Sequence, residues 1–145
     1  MGIFEDIKLE SQDHPSLTLA SPFNILWEYD RGPQEKLKGD VHYALQISIV
    51  MQGAAEVVFG DWSHVFQSGE LWWTMCWEPH AYRLLFPRNF VMSVNINIDN
   101  LGNSGPCSDA DWLAPFTVEP QYRYCPSNDA ERGEIALVSR KLLHA

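Results

Sequence analysis

The sequence predicts an all-β domain, a sandwich or barrel, followed by a C-terminal helix. Between Val41 and Asp99, apolar and β-branched runs recur about every eight to twelve residues, separated by Gly53, Gly60-Asp61, Ser68-Gly69, Pro79 and Pro87. Two of these runs alternate apolar with polar side chains, the period of a strand with one face on a core. From Ser127 onward the apolar spacing lengthens to three and four residues, that of a helix.

Length and composition bound the possibilities. A chain of 145 residues suits one hydrophobic core, which at this size buries about two-thirds of the surface of the unfolded chain. The sequence is 46% hydrophobic and 12% aromatic with six Trp, too apolar for a disordered chain. No apolar run approaches the roughly 20 residues of a membrane span, so no membrane partner is expected. The formal net charge is -9, and without a basic patch such a field repels a phosphate backbone; direct nucleic-acid binding is not expected. Cys76, Cys107 and Cys125 are odd in number and irregularly spaced, with no signal peptide before them, which predicts reduced thiols in a cytoplasmic protein.

Residues 1–23 mix charges, prolines and scattered apolar positions without a period, and read as an N-terminal arm that Ile3, Phe4, Leu17 and Leu19 can dock. The barrel is assigned to residues 24–100. It opens with the strand NILWEYD (24–30), closed by the turn-rich RGPQEKLKGD, and continues through HYALQISIVM, AEVVFG, WSHVFQ, LWWTMC, AYRLLF and FVMSVNINI. Gly60-Asp61 fits a tight hairpin. Residues 101–126 form a connector in which Pro115, Pro120 and Pro126 argue against a regular element. Residues 127–145 form a helix capped by Ser127 or Asn128, with Ile135, Val138, Leu142 and Ala145 in a narrow coiled-coil-like stripe. That stripe predicts a homodimer through the helix, and the lack of a closing cap predicts a fragment of a longer protein.

Strand geometry puts Asp40, His42, Gln46 and Ser48 on one face, and Tyr43, Leu45, Ile47 and Ile49 on the other. Likewise Ser93 and Asn95 oppose Met92, Val94 and Ile96. A polar group buried without a partner costs about 1–3 kcal/mol, so a polar face turned inward implies a pocket filled by a polar ligand or water. The competing assignment turns that face to solvent.

The segment from Gly39 to His80 resembles the two cupin motifs. In GDVHYALQISIVMQG, Asp40 stands at the first His position, His42 at the second, Gln46 at the Glu position and Gly53 near the closing Gly. GELWWTMCWEPH keeps the spacing of the second motif from Gly69 to His80, with Met75 and Trp77 in place of its Pro and Gly. Spacing kept while residues are eroded is similar to the cupin barrels at the N-terminus of AraC-type transcription regulators, as is the order WEPHAY, strand, WLAPFTVEPQYRY, helix.

The resemblance implies a cupin-type double-stranded β-helix, a jelly-roll barrel, with a C-terminal α-helical segment. It implies a small-molecule effector, a sugar being one class that suits the aromatic residues, and a sensing role in which the arm and linker helix respond. The helix-turn-helix half of such regulators is not found in this sequence. The chain is expected not to be an enzyme, since no nucleophile with a base stands at motif spacing. The alternatives are a metal-dependent cupin enzyme, an isomerase or dioxygenase using His42, Gln46 and His80, and a stand-alone binding barrel.

His80 and Tyr82 are the first candidates for ligand contact, followed by Gln46, Trp73, Ser93 and Asn95; His42 is the most ambiguous. Of the adjacent Trp72 and Trp73, one must point away from the interior. Asp40, His42, Gln46 and His80 occupy four metal-ligand positions, but only two are imidazoles and Gln is a weak neutral ligand. No metal and no other cofactor is therefore expected. His14, His64 and His144 read as surface residues.

Overall fold

A computed structural model describes residues 7–12, 14, 17–30, 32–100 and 113–144. Within them the chain forms strands β1 (Leu9–Gln12), β2 (Phe23–Asp30), β3 (Lys38–His42), β4 (Leu45–Gln52), β5 (Ala54–Phe59), β6 (Trp62–Gln67), β7 (Leu71–Thr74), β8 (His80–Leu84) and β9 (Asn89–Ile96). Two helices follow, α1 (Ala114–Thr117) and α2 (Asp129–Leu143), with short 3-10 turns at Ile98–Asn100 and Pro120–Tyr122.

One sheet runs β1-β3-β8-β5-β6 and the other β2-β9-β4-β7. Pairing is antiparallel except where β1 lies parallel to β3. From β2 to β9 the chain alternates between sheets, except at the β5–β6 hairpin, in the order of an eight-stranded jelly roll, so the expected all-β fold with a C-terminal helix holds. Gly60 and Asp61 make the two-residue hairpin between β5 and β6, where Phe59 pairs with Trp62.

The run HYALQISIVM is not one strand. The chain bends at Tyr43 and Ala44, ending β3 in one sheet and starting β4 in the other. Asp40 and His42 therefore face Gln46 and Ser48 across the interior instead of lying in line with them.

The arm is also more ordered than its composition suggests. Leu9 to Gln12 add a parallel strand at the edge of β3, where a short charged stretch needs only backbone partners. The connector likewise holds α1 and a 3-10 turn, with a proline in the first turn of each, where the missing N–H costs nothing. Ile3, Phe4, Cys107 and Ala145 lie outside the described residues.

The interior divides along the strands. At one end Val50, Val57, Phe66, Trp72, Leu84 and Val91 form a buried apolar cluster, each side chain contributing about 1.5–3 kcal/mol or more by burial. The other end carries the polar residues described below. Outside the second sheet, Ile49, Leu71 and Met92 pack with Ile25, Ile47 and Val94 against Ile135 and Leu143 of α2. This claims the side of α2 that holds Ile135, Ser139 and Leu143, and leaves Leu137, Val138 and Leu142 exposed. The predicted stripe is thus split: Ile135 serves the core of its own chain, while Val138 and Leu142 face outward.

The helix begins as expected. The Asn128 side chain accepts the Glu131 backbone N–H at 2.9 Å, and the Glu131 carboxylate accepts the Ser127 N–H at 2.8 Å. The apolar end is closed by Asn89, fully buried, whose Oδ1 accepts from the N–H groups of Ala54 and Phe86 while its Nδ2 donates to the Phe86 carbonyl. Gly53 turns β4 into β5 beside it with φ of 84°, and a Cβ there would strike the Asn89 side chain. Cys76 and Cys125 are free thiols. Among the described residues, no helix is long and apolar enough to cross a membrane.

Candidate functional site

At the polar end of the interior, the bend after β3 and the crossing to β4 aim side chains from both sheets at one hollow. Asp40 and His42 come from β3 and its end, His80 and Tyr82 from β8, Gln46 and Ser48 from β4, Ser93 from β9 and Glu28 from β2. Two adjoining cavities of about 170 and about 70 Å³ share Glu28, Asp40, Gln46, Tyr82 and Ser93 as walls. Gln12, at the end of the arm strand, and His14, just beyond it, also wall the larger one.

His42 and His80 are fully buried and stand edge to face, with ring centroids 5.1 Å apart. Each has its Nδ1 against a backbone carbonyl, His42 on Ala44 at 2.8 Å and His80 on Glu78 at 3.0 Å. A carbonyl only accepts, so Nδ1 carries the proton in both rings. Burial lowers the pKa of both imidazoles; the neighbouring His80 adds to the lowering at His42. Both are therefore neutral, and each presents a bare Nε2 lone pair.

The two lone pairs point at a carboxylate. Asp40 Oδ2 lies 3.8 Å from Nε2 of His42 and 3.6 Å from Nε2 of His80. Asp40 Oδ1 and His42 Nε2 are buried without a hydrogen-bond partner. The candidate ligand atoms of the three residues all lie within 4.8 Å of one another. Acceptor atoms converging in this way call for a cation or a bridging donor between them. Two imidazoles fixed by carbonyls through Nδ1, plus one carboxylate, are the donor set of a divalent transition-metal site, so the residues present fit such an ion.

Gln46 is occupied elsewhere. Its Nε2 donates to Asn95 Oδ1 at 2.8 Å, and its Oε1 accepts from Ser48 at 3.3 Å. Asn95, fully buried, passes the network on by donating to Asn24 Oδ1 at 2.8 Å, and Ser48 shares a hydrogen bond with Ser93 at 3.0 Å. Asn95 therefore holds Gln46 in place. Tyr82 donates its hydroxyl to Glu28 Oε2 at 2.8 Å, and burial together with the Glu28 carboxylate pushes the Tyr82 pKa up strongly.

Of the residues predicted from sequence, His42, Gln46, His80, Tyr82, Ser93 and Asn95 are brought together here. Trp73 is not. It lies on the outer face of β7, donates Nε1 to the Tyr124 carbonyl at 2.8 Å and packs edge-on against Phe116. Its neighbour Trp72 is the inward residue of the pair and walls the smaller cavity. The preference for Trp73 fails because a one-residue change of register exchanges the two faces.

Two residues receive roles that the sequence did not suggest, and a third was left out of the candidates for ligand contact. Asp40, placed by the motif at a metal-ligand position, is the charged member of the cluster. His14, read as a surface residue, stands edge-on to His42 at 5.4 Å and walls the larger cavity. Glu28 lines both cavities, and only its inward parity on an edge strand could have flagged it. Trp77 explains a motif departure: its φ is 56°, the left-handed conformation that the Gly of the second cupin motif adopts freely. Its N–H donates to the His42 carbonyl at 2.7 Å, so the turn is kept at the cost of strain.

No family model matches the sequence, and no curated protein matches it. Among solved structures, the chain is similar to an HTH_3 family transcriptional regulator from Vibrio cholerae, with 16% identity and a TM-score of 0.48 over 57% of this chain and 47% of that one. It is also similar to a mutant of Bacillus subtilis oxalate decarboxylase, with 16% identity and a TM-score of 0.47 over 57% of this chain and 23% of that one. The chain thus spans under half the length of either. The fold is of the cupin type.

That assignment rests on the strand order given above. The comparisons bring one correction to the sequence reading, which expected no enzyme: one cupin neighbour is a decarboxylase, so this fold does not exclude catalysis.

Proposed function

We propose that the chain is a small-molecule-binding cupin-type domain in which Asp40, His42 and His80 hold a divalent transition metal beside a pocket for a polar ligand. The observation that carries this reading is the convergence of two carbonyl-anchored imidazoles on one buried carboxylate. A metal there supplies a Lewis-acidic anchor for an oxygen atom of the ligand. The chain's own groups do the rest. Glu28 and Tyr82 orient hydroxyl groups, Ser48 and Ser93 offer small donors, and the Gln46–Asn95 pair fixes the floor. A sugar or another polyhydroxylated molecule matches this set of donors and acceptors.

The role proposed for this binding is effector sensing in a cytoplasmic AraC-type regulator, in keeping with the resemblance of the motifs. Two structural features support it. The arm places Gln12 and His14 in the wall of the pocket, so a ligand touches it directly. On the other side, Glu78, whose carbonyl holds His80, is bound through its carboxylate by Arg123 of the connector at 2.7 Å for both contacts, on the path to α2. The exposed Val138 and Leu142 on α2 are the proposed homodimer contact. One observation favours metal-dependent catalysis as a second reading: three protein ligands leave coordination positions open.

A thermal-shift screen of sugars and small hydroxy acids, with added zinc or manganese and with chelator, tests the proposal. A hit whose shift is lost in His80→Ala and with chelator supports it. Hits that survive both place the ligand elsewhere and defeat it.

A further inference from the structure

The sheet edges β6 and β7 do not pair with each other, and the gap between them holds a further cavity of about 110 Å³, which shares Trp72 as a wall with the smaller polar cavity. Its walls are the rings of Phe59, Trp62, His64, Phe66, Trp72 and Trp73 with the Cys125 side chain, and the connector roofs it with Pro120, Gln121 and Arg123. The rings form a continuous aromatic shell: Phe59 stacks on Trp62 at 6.2 Å, Trp62 meets Phe66 at 6.4 Å, and Phe66 meets Trp72 at 5.4 Å.

Polar groups here are nearly all committed. The Arg123 guanidinium is held by Glu78 and the Trp73 carbonyl and lies over the Phe59 ring at 5.5 Å, so it offers no free charge. The Trp73 N–H is donated to Tyr124. His64 and Gln121 of the lining are exposed to solvent, and the buried exception is Trp72, 5% exposed, whose indole Nε1 is buried with no hydrogen-bond partner. A lone N–H donor in an aromatic shell is a site that water fills poorly, because water needs two or more polar partners. A ring with one acceptor suits it.

We propose that this cavity binds a neutral, single-ring aromatic molecule carrying one hydrogen-bond acceptor, distinct from any polar ligand of the inter-sheet hollow. Size sets the limit. Apolar cavities of about 150 Å³ hold benzene, and this one, smaller but partly open at the seam, admits one ring and not two. Stacking and edge contacts with the shell select a π system over a saturated ring. The acceptor selects orientation through Trp72.

The test is titration with phenol, followed by NMR of the tryptophan indole N–H resonances in the full chain, with Trp72→Phe used for assignment. Saturable shifts of the Trp72 and neighbouring indole signals are expected, with cyclohexanol giving none. Trp72→Phe should weaken phenol binding about fivefold, the worth of one hydrogen bond, and Cys125→Leu, which places bulk in the cavity wall, should abolish it. Asp40→Asn and chelator should leave phenol binding intact, so the fate of this site is separable from that of the hollow; His80 is left in place because its ring stacks on Phe59 at 5.9 Å. Failure of phenol to saturate, equal binding of cyclohexanol, or shifts confined to residues around His80 would overturn the proposal.

Discussion

His42 and His80 are tied at Nδ1 to the carbonyls of Ala44 and Glu78, each two residues away, and both turn Nε2 toward the same Asp40 oxygen. Each ring is fixed by its own backbone. The pair is therefore set before any ligand arrives, and its geometry depends on the bend after β3 and on the turn before β8.

Neutral buried imidazoles make stability depend on pH. Their folded pKa values are lowered below the ordinary 6.5, so the unfolded chain takes up protons first as pH falls. Their stabilising contribution is complete above pH 6.5 and declines as pH drops from there toward the folded values. The melting temperature of metal-free protein should hold steady from pH 8 to 7 and fall from pH 6.5 downward. The double variant His42→Gln and His80→Gln should flatten that decline, which differential scanning calorimetry can follow.

A metal bound to the folded state alone stabilises by mass action, about 2.7 kcal/mol at a hundredfold excess over Kd. Zinc or cobalt should raise the melting temperature of the wild type at pH 7.5. Asp40→Asn should remove most of that rise, since it deletes the anionic ligand while keeping the shape. Gln46→Ala should keep it, because Gln46 is engaged with Asn95 and Ser48.

Arg123 clamps the connector onto the turn that carries His80. It donates to both oxygens of Glu78 and to the carbonyls of Trp73 and Val118. Its loss leaves a mostly buried carboxylate with no cation and only the Met75 N–H as a donor, and Arg123→Ala should cost roughly 3 kcal/mol. Glu78→Gln should cost less, because the backbone carbonyl that holds His80 remains. Chemical denaturation measures both.

Asn89 satisfies two backbone N–H groups from a fully buried position. Asn89→Ala should destabilise by roughly 3 kcal/mol, since each stranded donor costs about 1–3 kcal/mol. Asn89→Asp keeps the acceptor but loses the bond from Nδ2 to Phe86, and should be milder above the carboxylate pKa. Urea denaturation at pH 7 and pH 4 separates the two.

Dimerisation, if it uses α2, must use the face that the core leaves free. Val138→Glu with Leu142→Glu should give a monomer by light scattering with an unchanged melting temperature, because neither side chain is buried in the chain's own core. A wild-type chain that stays monomeric at high concentration would dismiss the dimer.

Much of this was legible in the sequence. The polar parity of Gln46, Ser48, Ser93 and Asn95, combined with cupin spacing, predicted an inward polar face, and all four lie within the network. Other features were hidden for physical reasons. The bend at Tyr43 and Ala44 carries no Gly or Pro, so one strand was read where two sheets meet. The arm strand depends on backbone pairing alone, which leaves no side-chain period. Trp72 and Trp73 could not be ordered, because parity needs a register that only β4 supplies. Asp40 stood at a metal-ligand position by motif spacing, but its pairing with His80 arises only when β8 comes to lie beside β3.

The most direct measurement is the metal content of protein purified without chelator, set against Asp40→Ala and His80→Ala prepared alongside. About one equivalent of a single transition metal in the wild type, absent from both folded variants, is the expected result. Trace metal at the same level in all three would contradict the site formed by Asp40, His42 and His80.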